Sequence, residues 1–124
     1  MTDSHDSIMS WRVLVHAPQS GQFNMSLDKT LLDEVSGPQS RPQTYLRFYQ
    51  WIRPTLSIGF SQRAERVVDL DYCNAQGIHI VRRPTGGKTV LHDRELTYSV
   101  APNDPGFFPL TDISATYCRI ANAL

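Results

Sequence analysis

Arg82-Arg83-Pro84-Thr85-Gly86-Gly87-Lys88-Thr89-Val90-Leu91-His92-Asp93 is the stretch on which the reading of this chain turns. A β-type run, Gly77-Ile78-His79-Ile80-Val81, leads into it, and a second, Leu96-Thr97-Tyr98-Ser99-Val100, follows it. A strand, a glycine turn carrying Arg82, Arg83 and Lys88, and another strand form a unit that holds an anion against backbone N–H groups. The stretch therefore points to a small-molecule site for a phosphate or a carboxylate.

The residue types support that chemistry one by one. Gly86 and Gly87 have no Cβ, so a ligand can approach the backbone closely. Arg82 and Arg83 alternate along a strand and face opposite ways, so one is expected to reach the ligand and the other to pair structurally. Thr85 offers a hydroxyl, and Lys88 a flexible point charge. One of His92 and Asp93 should face the site. Each residue also has a plainer reading: a strand-end arginine in a surface ion pair, a glycine pair in a hairpin turn, a histidine packed in a core. Their concentration within a dozen residues favours the anion-binding turn.

Bulk properties narrow the alternatives. The 124 residues suit one modest domain, and 40% hydrophobic with 19% charged residues is ordinary globular composition. Formal net charge is zero, which argues against a nucleic-acid binder. Lysine occurs only at Lys29 and Lys88, and all other cations are arginine, the side chain suited to bidentate recognition of carboxylates and phosphates. A general arginine bias on a solvated surface explains this equally well. No apolar run approaches the roughly 20 residues of a membrane span. The polar Met1–Ser10 segment lacks the basic start of a signal peptide and reads as a disordered leader. Cys73 and Cys118 make no disulfide framework and lack metal-ligand spacing. The expected compartment is the cytoplasm, with no metal site.

Along the chain, Trp11–His16 reads as a strand stopped by Pro18. A helix is expected over Met25–Val35, capped by Asn24, with Leu27, Leu31 and Val35 as its apolar stripe. Residues 36–43 form a Gly/Pro loop. Tyr45–Trp51 and Thr55–Gly59 read as strands separated by Pro54. Val67–Gln76 reads as a short helix with Val68, Tyr72 and Ala75 on one face, stopped by Gly77. Residues 101–112 form a proline-rich loop, and Asp112 caps a last helix with Ile113, Tyr117, Ile120 and Leu124 on its stripe. That stripe runs to the last residue without a stop signal, so the domain is expected to be incomplete.

The motif and its continuation Glu95-Leu96-Thr97-Tyr98-Ser99-Val100 resemble the signature of the lipoate–protein ligase and octanoyltransferase family, which belongs with the biotin/lipoate A/B ligases. Asn24-Met25-Ser26-Leu27-Asp28 resembles the family's first-helix motif. Leu46-Arg47-Phe48-Tyr49-Gln50-Trp51, Pro54 and Leu56-Ser57-Ile58-Gly59-Phe60-Ser61-Gln62 resemble its next strand pair. The resemblance covers residues 11–124, which would form the N-terminal part of the catalytic domain.

The resemblance implies an α+β fold of the class II biotin/lipoate ligase type, with a mixed, largely antiparallel sheet and packed helices. It implies transfer of a lipoyl or octanoyl group to a lysine of a lipoyl carrier domain, either the E2 of a 2-oxoacid dehydrogenase or the glycine-cleavage H protein. A ligase would use ATP and Mg to make an acyl-adenylate from the free acid. A transferase would take the acyl group from an acyl carrier protein onto a cysteine. No covalent cofactor is implied. The implied substrate-binding residues are Gly59, Arg82, Arg83, Thr85, Gly86, Gly87, Lys88, Val90 and His92. Lys88 departs from the third glycine common in ligases and looks more like the cysteine-dependent transferases. The family's essential lysine and nucleophilic cysteine are expected downstream of Leu124. Lys29 and Lys88 do not match the lysine's context, and Cys73 and Cys118 read as buried small hydrophobes. The alternative is a truncated or degenerate, non-catalytic acyl- or carrier-binding module. A biotin ligase is disfavoured, because its glycine–arginine turn has another order.

Overall fold

The computed structural model describes residues 10–38, 43–103 and 112–124. The leader expected over 1–10 therefore lies outside the described residues except for Ser10, which opens the first strand. The middle of the 36–43 loop and most of the 101–112 loop also lie outside them. In chain order the elements are β1 (Ser10–Val15), α1 (Gly21–Ser36), β2 (Gln43–Tyr49), β3 (Thr55–Ile58), α2 (Ala64–Val67), α3 (Leu70–Gln76), β4 (His79–Arg82), β5 (Val90–His92), β6 (Thr97–Ala101) and α4 (Ile113–Ala123).

The architecture is mixed α+β. Its strands divide into two three-stranded sheets, ordered β1-β2-β6 and β4-β3-β5. Each sheet has one parallel and one antiparallel pairing: β1 with β2 and β3 with β4 are parallel, β2 with β6 and β3 with β5 antiparallel. Helix α1 contacts β2 and β6 of one sheet and β4 of the other, so it bridges the two. At its start, a Cβ added to Gly21 would meet Thr55 Cγ2 and Val81 Cγ1 at 2.9 Å, so the helix end abuts the second sheet closely.

The apolar stripe of α1 performs as its spacing implies. Leu31 and Val35 are buried with Tyr45 and Ala101, and Leu14 and Leu27 pack at the edge of that cluster. A second cluster joins Met25, Tyr49 and Trp51, with Val81 against it. The helix begins four residues earlier than the sequence suggests, however. Ser20, not Asn24, is the cap, accepting from Phe23 N at 3.1 Å. Asn24 is fully buried instead and hydrogen-bonds Arg47, a tertiary role that propensity does not reveal.

Two further differences have local causes. The single helix expected over 67–76 is two, because Val68 is extended (φ −133°, ψ 137°) and Asp69 caps α3 by accepting from Tyr72 N at 3.0 Å. Tyr72 is exposed, and Cys73 is the buried residue of α3. The αL conformation of Gly77 (φ 70°) ends α3 as expected. β5 was not expected as a strand, since three residues give no readable alternation; it is fixed by pairing with β3. In α4, Asp112 caps by accepting from Ala115 N at 3.1 Å. Cys118 is exposed there, contrary to its reading as a buried hydrophobe, because α4 turns that side chain to solvent.

Candidate functional site

A cavity of about 260 Å³ opens between the bridging helix and the two sheets. Met25, Leu31 and Leu32 from α1 and Val100 and Ala101 from β6 give it apolar walls, with Tyr49 and Trp51 at the end of β2. Arg83, Pro84, Thr85 and His92 enter from the second sheet. An apolar chamber with a few convergent polar groups has the character of a small-molecule pocket.

One side of the cavity is held by a buried ion pair. Arg47 has no exposed surface. Its Nη1 donates to Asp28 Oδ1 at 2.9 Å and to Asn24 O at 3.1 Å, its Nη2 to Asn24 Oδ1 at 2.7 Å, and its Nε to His16 Nδ1 at 3.1 Å. The guanidinium also lies 3.8 Å from the centroid of the Tyr49 ring. Asp28 further accepts from Tyr49 Oη at 2.9 Å and Ser99 Oγ at 2.7 Å. Burial, and secondarily the Asp28 carboxylate, push the Tyr49 phenol well above its ordinary pKa. Asp28 thus lines the cavity while accepting from Arg47, Tyr49 and Ser99, and α1, β2 and β6 are locked together there.

The adjacent arginines serve different loops. Arg82 Nη1 donates to Gly59 O, Phe60 O and Gln62 O at 3.1, 3.0 and 2.5 Å, closing the turn after β3. Arg83 Nη1 donates to Ser57 O and Oγ at 2.9 and 2.7 Å, and its Nη2 to Gly86 O and Lys88 O at 3.0 and 2.7 Å. Arg83 therefore pins the glycine turn to β3 while facing the cavity. Its partners are all neutral. Burial pulls its pKa down from the ordinary arginine value, with Tyr49 acting in the opposite direction.

The two turns interlock. Phe60 N donates to Thr85 O at 2.8 Å, Arg83 N to Ile58 O at 2.9 Å, and Gly59 N to Gln62 Oε1 at 2.8 Å. Gly59 lies so close to the Gly86–Gly87 peptide that a Cβ there would stand 2.0 Å from Gly87 O. Gly87 has φ 100°, a conformation glycine adopts without strain.

His92 sits at the seam of the two sheets. Its ring stacks on Trp51, with centroids 4.1 Å apart and planes 15° apart. Its Nε2 lies 2.8 Å from Ser57 Oγ, and its Nδ1 bonds Glu95 Oε1. Trp51 Nε1 donates to Thr97 Oγ1 at 2.8 Å, and that hydroxyl donates to Glu95 Oε2 at 2.9 Å. The turn that brings Glu95 back to His92 passes through Arg94 at φ 54°.

Of the nine residues singled out from sequence, Arg83, Thr85 and His92 line the cavity. Gly59, Arg82, Gly86 and Gly87 build the interlocked turns behind that wall. Lys88 is exposed on the turn, and Val90 pairs with Ser57 at the start of β5 with its side chain outward. Asp28, Ser57, Tyr49, Trp51, Glu95 and Thr97 escaped the sequence reading as site residues. The usable signal was a run of polar side chains at alternate positions of strands, Thr55 and Ser57 above all, which are fully buried.

The family model of the lipoyl protein ligase A/B catalytic domain matches residues 20–124, and the chain belongs to that family. It is 48% identical over 91 residues to the octanoyltransferase LipM of Carboxydothermus hydrogenoformans, covering 73% of this chain and 33% of that protein. Among solved structures, it resembles the bipartite lipoate protein ligase of Thermoplasma acidophilum, a structural study of which includes its E2 lipoyl domain. The TM-score is 0.59 at 37% identity, covering 75% of this chain and 36% of that one. It also resembles a lipoate-protein ligase A bound with ATP, with TM-score 0.59 at 38% identity, covering 74% of this chain and 36% of that one. The chain thus spans about a third of the length of these relatives. No helix among the described residues is long and apolar enough to cross a membrane.

Proposed function

We propose that this chain carries the acyl-holding part of an enzyme that attaches a lipoyl or octanoyl group to a lysine of a lipoyl carrier domain. The observation that carries the reading is Arg83, a cation with only neutral partners at the wall of an apolar cavity. An apolar chain ending in a carboxylate or an acyl phosphate fits both parts: the walls take the chain, and Arg83, its Nη hydrogens held by Ser57, Gly86 and Lys88, attracts the charge through its fixed guanidinium. Thr85 at the rim supplies a further hydroxyl. The carrier would be an E2 lipoyl domain or a glycine-cleavage H protein, and the compartment the cytoplasm. If the enzyme is a ligase, ATP is its second substrate. In that case Mg would accompany the nucleotide's phosphates. If it is a transferase, an acyl carrier protein is the donor.

A second reading has its own support. An adenylate or thioester step needs a nucleophile or a fixed cation at the reacting carbonyl. Cys73, Cys118, Lys29 and Lys88 all lie outside the cavity lining, an arrangement that a non-catalytic acyl- or carrier-binding module would also show. One set of measurements separates the readings. Octanoate and lipoate are titrated into the chain and into its Arg83→Met variant. The chain is then incubated with a lipoyl carrier domain and either octanoyl carrier protein or free lipoate, with and without ATP, and the carrier's mass is followed. Saturable binding that Arg83→Met weakens at least tenfold supports the anion site. Carrier modification only with ATP identifies a ligase, and modification from the acyl carrier without ATP a transferase. Binding without modification identifies the binding module. Equal binding by both chains refutes the role given to Arg83.

A further inference from the structure

A chain of hydrogen bonds running from Glu95 through His92 and Ser57 reaches Arg83 from behind the cavity wall. Ser57 is fully buried in β3, with its hydroxyl between His92 Nε2 at 2.8 Å and Arg83 Nη1 at 2.7 Å. Proton positions follow from counting donors. A guanidinium only donates, so Ser57 Oγ accepts from Arg83. The serine has one hydrogen, and the neighbour placed to accept it is His92 Nε2. That nitrogen is then unprotonated, and Nδ1 carries the imidazole hydrogen toward the Glu95 carboxylate. Glu95 is fixed in turn by Thr97, and the imidazole plane by the Trp51 stack. In this arrangement every hydrogen of the relay has one acceptor.

The order carboxylate–imidazole–hydroxyl is also that of a hydrolase triad. Here the serine oxygen is buried and receives a hydrogen from a cation, which withdraws the electron density a nucleophile needs. The trio is built to hold, not to attack.

We propose that His92 is a positioning residue for Arg83, acting through Ser57. By accepting the serine hydrogen, it turns the Oγ lone pairs toward Nη1 and fixes the plane of the guanidinium. The same guanidinium holds Gly86 O and Lys88 O through Nη2, so the setting of the glycine turn follows from the histidine tautomer. This inference rests on the reading of Arg83 as the anion-binding group.

Nitrogen NMR on the ¹⁵N-labelled chain tests it without any ligand, and octanoate titration tests its consequence. The wild-type spectrum should show a protonated Nδ1 and an unprotonated Nε2 at His92, with restrained Arg83 guanidinium signals. His92→Leu and Ser57→Ala should each release those guanidinium signals and weaken octanoate binding about tenfold, the loss of one charge-assisted hydrogen bond. The double variant should lose no more than either single one, because both act on one path. His92→Gln, which can keep an acceptor near Ser57, should restore most of the affinity. An Nε2-protonated tautomer, unchanged Arg83 signals in the variants, or additive losses in the double variant would each overturn the proposal. If His92→Leu does not fold, the wild-type tautomer and Ser57→Ala decide the matter. If wild type and Arg83→Met bind octanoate equally, the anion reading fails, while the tautomer and the guanidinium signals still judge the relay.

Discussion

Replacing Gly59 by alanine tests the interlocked turns most directly. The added Cβ would sit 2.0 Å from Gly87 O, 3.0 Å from Gly87 C and 3.2 Å from Gly86 C, all backbone atoms. Carbon–oxygen contacts in proteins settle near about 3.3–3.6 Å, so the peptide must retreat by more than roughly 1 Å. It cannot do so freely. Arg83 holds Gly86 O and Lys88 O, and Phe60 N holds Thr85 O. Forced overpacking of this kind costs about 1–3 kcal/mol, a fall in Tm of roughly 4–12 °C for a chain of this size. Two other glycines calibrate the measurement. Gly77 has open space around it but φ 70°, so alanine there should cost about 1 kcal/mol through conformation alone. Gly86 has open space and no positive φ, so alanine there should stay within about 0.5 kcal/mol of wild type. Thermal and urea denaturation of the three variants should rank the losses Gly59 above Gly77 above Gly86. A Gly59→Ala chain that melts with wild type would show that the two turns do not touch, and the account of the cavity wall would fall with it.

Arg47→Ala should cost about 3–5 kcal/mol in urea denaturation, because it strands the Asp28 carboxylate and the Asn24 amide in a buried site. Arg94→Gly should raise stability by about 1 kcal/mol, since it relieves a non-glycine residue at φ 54°; a loss would mean that the Arg94 side chain matters more than its backbone. Stability should also fall at alkaline pH through Tyr49. Its folded pKa is raised, so the folded state keeps the proton longer than the unfolded chain. The resulting stability is complete below the unfolded value, about 10, and declines above it by about 1.4 kcal/mol per pH unit. Urea denaturation of wild type and Tyr49→Phe across that range checks this: the variant's curve should be flatter.

The sequence carried the local signals well. The i, i+4 stripe of Leu27, Leu31 and Val35 found its core, Gly77 ended α3, and Asp112 capped α4. Readings failed where a polar residue had two possible duties. Asn24 has the chemistry of a cap, yet Arg47 claims its side chain, so Ser20 takes the cap. Arg82 and Arg83 do alternate, but only tertiary structure assigns each its loop. His92 illustrates the same limit. Its neighbours Ser57, Trp51 and Glu95 come from three separate segments, and Ser57 lies 35 residues away in sequence. No periodicity encodes such a meeting. What was legible, a concentration of charge and glycine between two strands, located the wall of the cavity but not its floor at Asp28.

The placement of that cavity on the seam between two small sheets links occupancy to folding. Any molecule that fills it touches α1 and β6 on one side and Arg83, Thr85 and His92 on the other, and so braces the two sheets against each other. Mass action sets the size of the effect: a ligand at a hundred times its Kd adds about 2.7 kcal/mol to the stability of the native state. For a chain with so many large apolar side chains in solvent, Val13, Val15, Leu91 and Leu96 among them, that is a sizeable share of the 5–15 kcal/mol typical of a folded domain. On the proposed function, the bound acid would thereby be a folding partner of the protein as well as its cargo.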